Sequence, residues 1–503
     1  MKKKPNVCWC GPMERAANLR LFELIGEGRE AHEGEEVEIT GLTSDSRDVR
    51  PGFLFAALDG SRARGADFIP EALKNGAAAI LAPPGTGLGD TAPSAACLIS
   101  DDNPRHRFAE MAAHFFDRQP RTIAAVTGTN GKTSTATFLR ELWRGLGEKA
   151  ASLGSLGVEG DGPTTAVALT TPDPVTLHQT LAALADAGVT HCALEASSHG
   201  LDQYRLDGVR VAAAAVLNVT RDHLDYHPDL TSYLDAKARL FSEVMAPGSH
   251  AVLNGEAPQY QHIAEICRAR GHTMLRFGGD GADIRLVSQR DENFDQRIEL
   301  ELLGKSHELL ISLPGAFQVQ NMMAAAGLAI ATGMSEDEVA AGLPLLAGVR
   351  GRLELVSRLD NGAPVYVDYA HTPDALDAAL SALRPHTGGR LLLLFGCGGD
   401  RDAGKRPEMG NIAARLADVV FVSDDNPRFE DPAAIRRDII AACPGAIEIA
   451  GRGEAIGAAI GELRKNDVLL IAGKGHEQGQ IIAERVIPFN DGDVARRIVT
   501  ARR

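Results

Sequence analysis

The chain has 503 residues, 44% of them apolar, and a formal net charge of −15 at neutral pH. That length allows about three domains of roughly 150 residues, and the acidic balance argues against a nucleic-acid or anionic-membrane surface as main partner, so any anionic substrate must be gripped by local cationic pockets. Seven dispersed cysteines without metal-ligand spacing (Cys8 and Cys10 are too isolated to hold zinc alone) fit a reducing cytoplasm, the MKKK start has no apolar segment behind it to make a signal peptide, and no run approaches the roughly 18 apolar residues that span a membrane.

Strands and helices alternate throughout, the sign of parallel sheets in an α/β protein. Three blocks are expected, at residues 1–119, 120–346 and 347–503. The first closes on a helix in which Phe108, Met111, Ala112, Phe115 and Phe116 recur at helical spacing, with Asn103 as N-cap and Pro104 as first helical residue. Local structure thus accounts for the first of two copies of SDDNPR, at 100–105.

The second block opens with an apolar strand, Ile123 to Val126, then TGTNGKTS (127–134), then a helix with Phe138, Leu139, Leu142, Trp143 and Leu146 on one face. A strand, a glycine-rich turn and a helix N-terminus make an anion site, because backbone N–H groups converge there and the helix dipole adds positive potential. Gly128, Thr129, Asn130, Gly131 and Ser134 would line the turn. Lys132 would reach the β/γ phosphates of ATP, and Thr133 would offer its hydroxyl to Mg²⁺. The usual phosphate-loop pattern wants glycine where Val126 stands, so a plain glycine turn is the competing reading. Downstream, HCAL ends on Glu195, a well-placed carboxylate for Mg²⁺. A second strand, AAAAVL, leads to Asp222 and His223; a lone histidine is more often a surface or core residue than a ligand. In SYLDAKARLF, Lys237 shares the apolar face of Leu234, Ala238 and Phe241. It reads either as a snorkelling lysine or as a desolvated amine with a lowered pKa, able to react with CO₂ and become a metal-binding carbamate.

The third block carries four short apolar runs, at 365–369, 391–396, 419–422 and 468–473, each followed by glycine, histidine or acidic residues. This is the pattern of a Rossmann-like domain whose strand ends point into a site. The second SDDNPR (423–428) follows the third run, and its helix starts only at Pro432, capped by Asp431. Asp425, Asn426 and Arg428 therefore fall on a strand-to-helix turn, where open α/β sheets bind ligands.

Taken in order, GTNGKTS, TTPD (170–173), EASSHGLDQYR (195–205), RDHLDYH (221–227), YLDAKARLF (233–241), PGAFQVQN (314–321), GRLE (351–354), VDYAHTPDAL (367–376), FGCGGDRDAGKRP (395–407), DDNPR (424–428) and GKGHE (473–477) resemble the Mur ligase family, in particular its diaminopimelate-adding members. LTSDSRDVRPGFLFAALDG (42–60) extends the resemblance into the first block. It implies three domains: a UDP-substrate domain, a central P-loop ATPase-like domain on a parallel-rich sheet, and a C-terminal Rossmann-like amino-acid domain. The implied reaction is ATP-dependent addition of meso-diaminopimelate to UDP-N-acetylmuramoyl-L-alanyl-D-glutamate through an acyl phosphate, in the cytoplasm, by a monomer.

By the same resemblance, Lys132 holds the phosphates, and Thr133 and Glu195 serve one Mg²⁺. His223 and carbamylated Lys237 serve a second. Arg352 meets the γ-phosphate, and Asn321 and Asp368 contact the nucleotide. Ser46 contacts the uridine end, while Thr170, Thr171, Ser197, Gln203 and Arg205 grip the muramyl dipeptide. Arg428 clamps the distal carboxylate of diaminopimelate with two parallel hydrogen bonds, and Arg401, Asp425, Asn426, Gly473 and Glu477 complete that pocket. Three departures stand out. Arg64 occupies a position where relatives carry aspartate, Gln318 replaces asparagine, and MKKKPNVCWC has no counterpart. The alternatives are the lysine-adding ligase of the family, a folylpolyglutamate-type ligase and, from another class, a P-loop kinase.

Overall fold

The computed structural model describes residues 18–25, 36–60, 63–89, 96–164, 169–223, 226–292 and 295–502. The N-terminal MKKKPNVCWC lies outside these. Four parallel strands, Gly41–Thr43, Phe53–Ala56, Ala79–Ala82 and Cys97–Ser100, form the first sheet in chain order. The helix Pro104–Phe116 packs Phe108, Met111 and Phe115 against it. Asn103 caps that helix by accepting the His106 N–H, and Asp117, at φ 43°, ends it in the left-handed region.

Among the described residues, the central sheet has ten strands. Thr122–Thr127 lies between His191–Glu195 and Val211–Val216, both parallel to it. Ala150–Gly154 continues the sheet beyond His191–Glu195, and His250–Asn254 and Thr273–Gly278 continue it on the other side. The inner strands are buried on both faces, which is why they read as unbroken Ala/Val/Leu runs. The uniform strand–helix alternation expected from sequence fails further out. Ile284–Glu292, Asp295–Leu302 and Lys305–Ile311 form an antiparallel meander, joined to the parallel strands through Thr273–Gly278. Asp295–Leu302 alternates buried and half-buried residues along its length, because only one face meets the core. The helix Lys132–Gly145 buries Phe138, Leu139, Leu142 and Trp143 as expected, but Leu146 is its C-cap and 42% exposed.

The third sheet runs Glu354–Arg358, Pro364–Asp368, Val468–Ala472, Leu391–Phe395, Val419–Val422, Ile447–Glu448, with only the first strand antiparallel. Val468–Ala472 sits between two strands that precede it in sequence. The loops after Asp368, Phe395, Val422 and Ala472 therefore emerge at one edge, around a crevice. The helix Pro432–Ala442 starts where its Asp431 cap predicts. Among the described residues, no helix is long and apolar enough to cross a membrane.

Candidate active site

The phosphate loop leaves the strand Thr122–Thr127 with Gly128 at φ 150° and Gly131 at φ 92°. Gly131 has a steric reason to be glycine: a Cβ there would lie 2.2 Å from Asn321 Oδ1. Asn321 is itself oriented by the Gln318 departure, since its Nδ2 donates to Gln318 Oε1 at 3.0 Å. The loop is pinned from the neighbouring strand by Asn218, whose Oδ1 accepts the Asn130 N–H (2.9 Å) and whose Nδ2 donates to Asn130 O (3.1 Å). Lys132 Nζ folds onto Gly128 O and Thr129 O at 2.8 and 2.9 Å. Loop, lysine and Thr133 open into a cavity of about 370 Å³ that Glu195, Asn321, Arg352 and Asp368 also line.

Glu195 is buried at the strand end. Its Oε1 accepts the Ser155 N–H at 2.8 Å, and a Cβ on Gly154 would come within 2.0 Å of that oxygen. The Ser155 hydroxyl lies 2.9 Å from that of Thr170. Thr171 is fully buried; its hydroxyl donates to Glu195 O and accepts from Ser197 N and Oγ. Thr171 thus acts as an internal brace for this layer, while Thr170 lines the cavity. Arg205 donates to Thr171 O and Gln203 Oε1, both at 2.7 Å, so the residues expected to hold the muramyl dipeptide form one connected cluster. Glu195 and Thr133 supply hard oxygen donors, which suits Mg²⁺. Among the described residues, no three His, Cys, Asp or Glu side chains converge as a ready-made metal cluster.

Lys237 is 1% exposed. Its Nζ donates to Gly128 O at 2.9 Å and lies 4.3 Å from the Tyr233 ring centroid. Burial, then the charge of Lys132, pushes its pKa well below the ordinary lysine value. Of the two sequence readings, the desolvated amine is the one the structure supports. His223, at φ 55°, also neighbours Tyr233, with ring centroids 6.2 Å apart.

The third domain contributes Arg352, whose Nη2 donates to Thr133 Oγ1 at 3.2 Å and whose guanidinium stacks over Tyr369 at 4.5 Å. Asp368 is buried and accepts the N–H groups of Leu353 (2.6 Å) and Ala370 (2.7 Å). Burial raises its pKa against the opposing pull of Arg352.

A second cavity, of about 390 Å³, adjoins the first and contains all six residues expected to bind the amino acid: Arg401, Asp425, Asn426, Arg428, Gly473 and Glu477. Arg428 sits at φ 52°, with Nη1 donating to Gly399 O at 2.7 Å. Gly398 leaves room for it, since a Cβ there would lie 2.8 Å from that nitrogen. The two cavities share Asp222, His223, Tyr369, His371 and Asp374 as a common wall. Ser46 lines neither; it is buried in the first domain, donating to Glu71 Oε2 at 2.5 Å. Arg64 is exposed nearby, before a short 3₁₀ turn. Sequence reasoning missed Asn218, Ser155, Tyr233 and His371. Asn218, Ser155 and His371 each carried one signal, a place just beyond a strand end, whereas Tyr233 lies within a helix.

Three family models match in series: "Mur ligase family, catalytic domain" over 38–116, "Mur ligase middle domain" over 126–329, and "Mur ligase, glutamate ligase domain" over 351–475. The UDP-N-acetylmuramoyl-L-alanyl-D-glutamate–2,6-diaminopimelate ligase of Bradyrhizobium diazoefficiens is 49% identical over 96% of this chain and 100% of its own. The chain is a Mur ligase. The enzyme of the same name from Brucella melitensis is 48% identical over 96% and 98% of the two chains. A solved diaminopimelate ligase of that name superposes with a TM-score of 0.70 at 32% identity, covering 97% of this chain and 99% of its own. The folylpolyglutamate synthase of Mycobacterium tuberculosis, solved with ADP and AMPPCP, shares the fold at 20% identity (TM-score 0.61), over 73% and 92% of the two chains. The Mur ligase architecture, three α/β domains on parallel-rich sheets, is thus established for this chain.

Proposed function

We propose that this Mur ligase adds meso-diaminopimelate to UDP-N-acetylmuramoyl-L-alanyl-D-glutamate with ATP, releasing ADP and phosphate, in peptidoglycan precursor synthesis. The observation that carries the reading is the shared wall. A phosphate-loop cavity and a cavity bearing both a guanidinium and carboxylates meet at Asp222, His223, Tyr369, His371 and Asp374. An acyl phosphate made in one is thereby within reach of an amine held in the other.

In this reading, residues 1–119 hold the UDP end with Ser46, residues 120–346 hold ATP and the dipeptide, and residues 347–503 hold the amino acid. Lys132 and the loop N–H groups grip the phosphates. Asn321 and Asp368 meet the nucleotide. Arg352 meets the transferring phosphoryl group, so the chain contributes chiefly positioning and charge stabilisation. Thr170, Ser197, Gln203 and Arg205 aim the D-glutamate carboxylate. Thr133 and Glu195 would hold one Mg²⁺, with His223 and Lys237 (as N6-carboxylysine) holding a second; when bound, the ions neutralise phosphate charge. Arg428 takes the distal carboxylate of diaminopimelate, which lysine lacks. One chain carries both cavities, so a monomer suffices.

Phosphate release, measured with the UDP dipeptide present, is expected to depend on meso-diaminopimelate and to respond poorly to L-lysine. Release indifferent to the amino acid, or a stable phosphorylated product, would instead indicate a kinase.

A further inference from the structure

Lys474 has no assigned role, yet it is the most deeply buried ammonium near the amino-acid cavity. It is 0% exposed and does not line that cavity. Lysine is almost never fully buried without partners, because removing an ammonium from water costs several kcal/mol. Its partners are the cavity's own residues. Lys474 Nζ donates to Glu477 Oε2 at 2.7 Å and to Asn426 Oδ1 at 3.0 Å.

Those bonds fix two groups together. Asn426 Oδ1 also accepts the Ile481 N–H at 2.9 Å, so its Nδ2 is turned toward Glu477 Oε2, also 2.9 Å away. Glu477 Oε2 thus receives two donors, leaving Oε1 outside both bonds on a side chain that lines the cavity. The backbone permits this arrangement because Gly473 and Gly475 adopt φ 112° and 53°. The Glu477 N–H closes the turn on Lys474 O at 3.0 Å. Lys474 therefore lies behind the turn while Glu477 faces the ligand. A buried ion pair contributes little net stability compared with an apolar replacement, so its consequence here is orientation.

Resting on the amino-acid cavity assigned above, we propose that Lys474 is a positioning residue that locks Glu477 and Asn426 into one unit, so that Glu477 Oε1 receives the non-reacting ammonium of the diamino acid. The attacking amine must be neutral, so a carboxylate placed to hold an ammonium serves the other nitrogen. Lys474 then sets the preference for a diamino acid over a mono-amino acid of the same chain length and the same two carboxylates.

The test compares kcat/KM for meso-diaminopimelate with that for 2-aminopimelate, which lacks the held ammonium, in the full-length enzyme. In Lys474→Met the ratio is expected to fall at least about tenfold, as in Glu477→Gln, with no further fall in the double variant. Lys474→Gln, which keeps a donor, should give an intermediate ratio, and it carries the same test should the methionine variant not fold. General damage to the fold would lower both substrates alike and leave the ratio unchanged. If Glu477→Gln collapses the ratio while both Lys474 variants keep the wild-type value, the positioning role is overturned. A ratio unmoved by Glu477→Gln would overturn the cavity assignment itself.

Discussion

Arg428 is a single side chain fixed in place by its own surroundings. Its backbone is held by N–H donation to Ile481 O and by accepting the Ala483 N–H, and its Nη1 is tied to Gly399 O at 2.7 Å. In the proposed role the guanidinium would meet a carboxylate with little ordering left to do, the condition under which a bidentate pair is strongest. Arg428→Ala is expected to lower kcat/KM for meso-diaminopimelate by roughly 30-fold or more, corresponding to about 2–5 kcal/mol for one lost partner of a charge pair. The KM for ATP should change far less; equal losses in both would remove the clamp assignment. Lys237→Ala should lose most activity, and bicarbonate should restore part of it where chloride at equal ionic strength does not. Arg428, Lys132 and Lys237 stand out in the sequence as candidates because the chemistry proposed for them resides in the side chain and its local setting. Lys474 and Asn218 do not, because each acts on a partner brought close only by folding: Asn218 lies 88 residues from Asn130.

At the scale of elements, the same contrast separates the parallel strands from the meander. The inner strands announce themselves as apolar runs ending in candidate site residues, whereas Asp295–Leu302 alternates and carries four charged residues, a half-buried strand pattern whose antiparallel partners only the pairing reveals. The helix Pro174–Asp186 supplies a prediction that depends on packing. Its His178 is buried against the first domain's helix Pro104–Phe116 and the Asp207–Gly208 turn, with Nε2 donating to Asp207 O at 3.1 Å. Burial lowers its pKa to about 4, against roughly 6.5 in an unfolded chain. The fold binds this proton less readily than the unfolded chain does, so acid favours unfolding. Stability is unaffected above about pH 6.5 and is lost progressively as pH falls toward about 4, by about 3 kcal/mol from this group. Denaturant unfolding at pH 7 and pH 4.5 should show a smaller acid loss in His178→Gln, which keeps a donor but does not titrate. An identical loss in both proteins would assign the effect to other groups.

For the whole molecule, the decisive contact is the one that carries Arg352 from the third domain onto the phosphate loop of the second. Surface ion pairs across the same boundary, such as Arg221 with Glu408 at 3.8 Å, are exposed and contribute little. Arg352 differs because its neighbours fix its direction: the guanidinium stacks on Tyr369, and the Tyr369 N–H donates to Gly351 O at 2.9 Å. Its Nη2 ends 3.2 Å from Thr133 Oγ1. Gly351 also abuts the loop that carries Glu477, since a Cβ there would lie 2.4 Å from His476 N. The arginine proposed to meet ATP and the carboxylate proposed to meet the amino acid are therefore carried on segments packed directly against each other. An arginine serving charge that develops in the transition state affects kcat more than binding. Arg352→Ala is expected to reduce kcat about 10³-fold while the nucleotide Kd, measured by calorimetry with a non-hydrolysable ATP analogue, rises less than about tenfold. Arg352→Lys should recover only a small part, because an ammonium keeps the charge but lacks the flat face that Tyr369 aligns. Should binding and turnover fall together, Arg352 would be a ground-state anchor for ATP, and the packing of these two segments would have no part in timing the transfer.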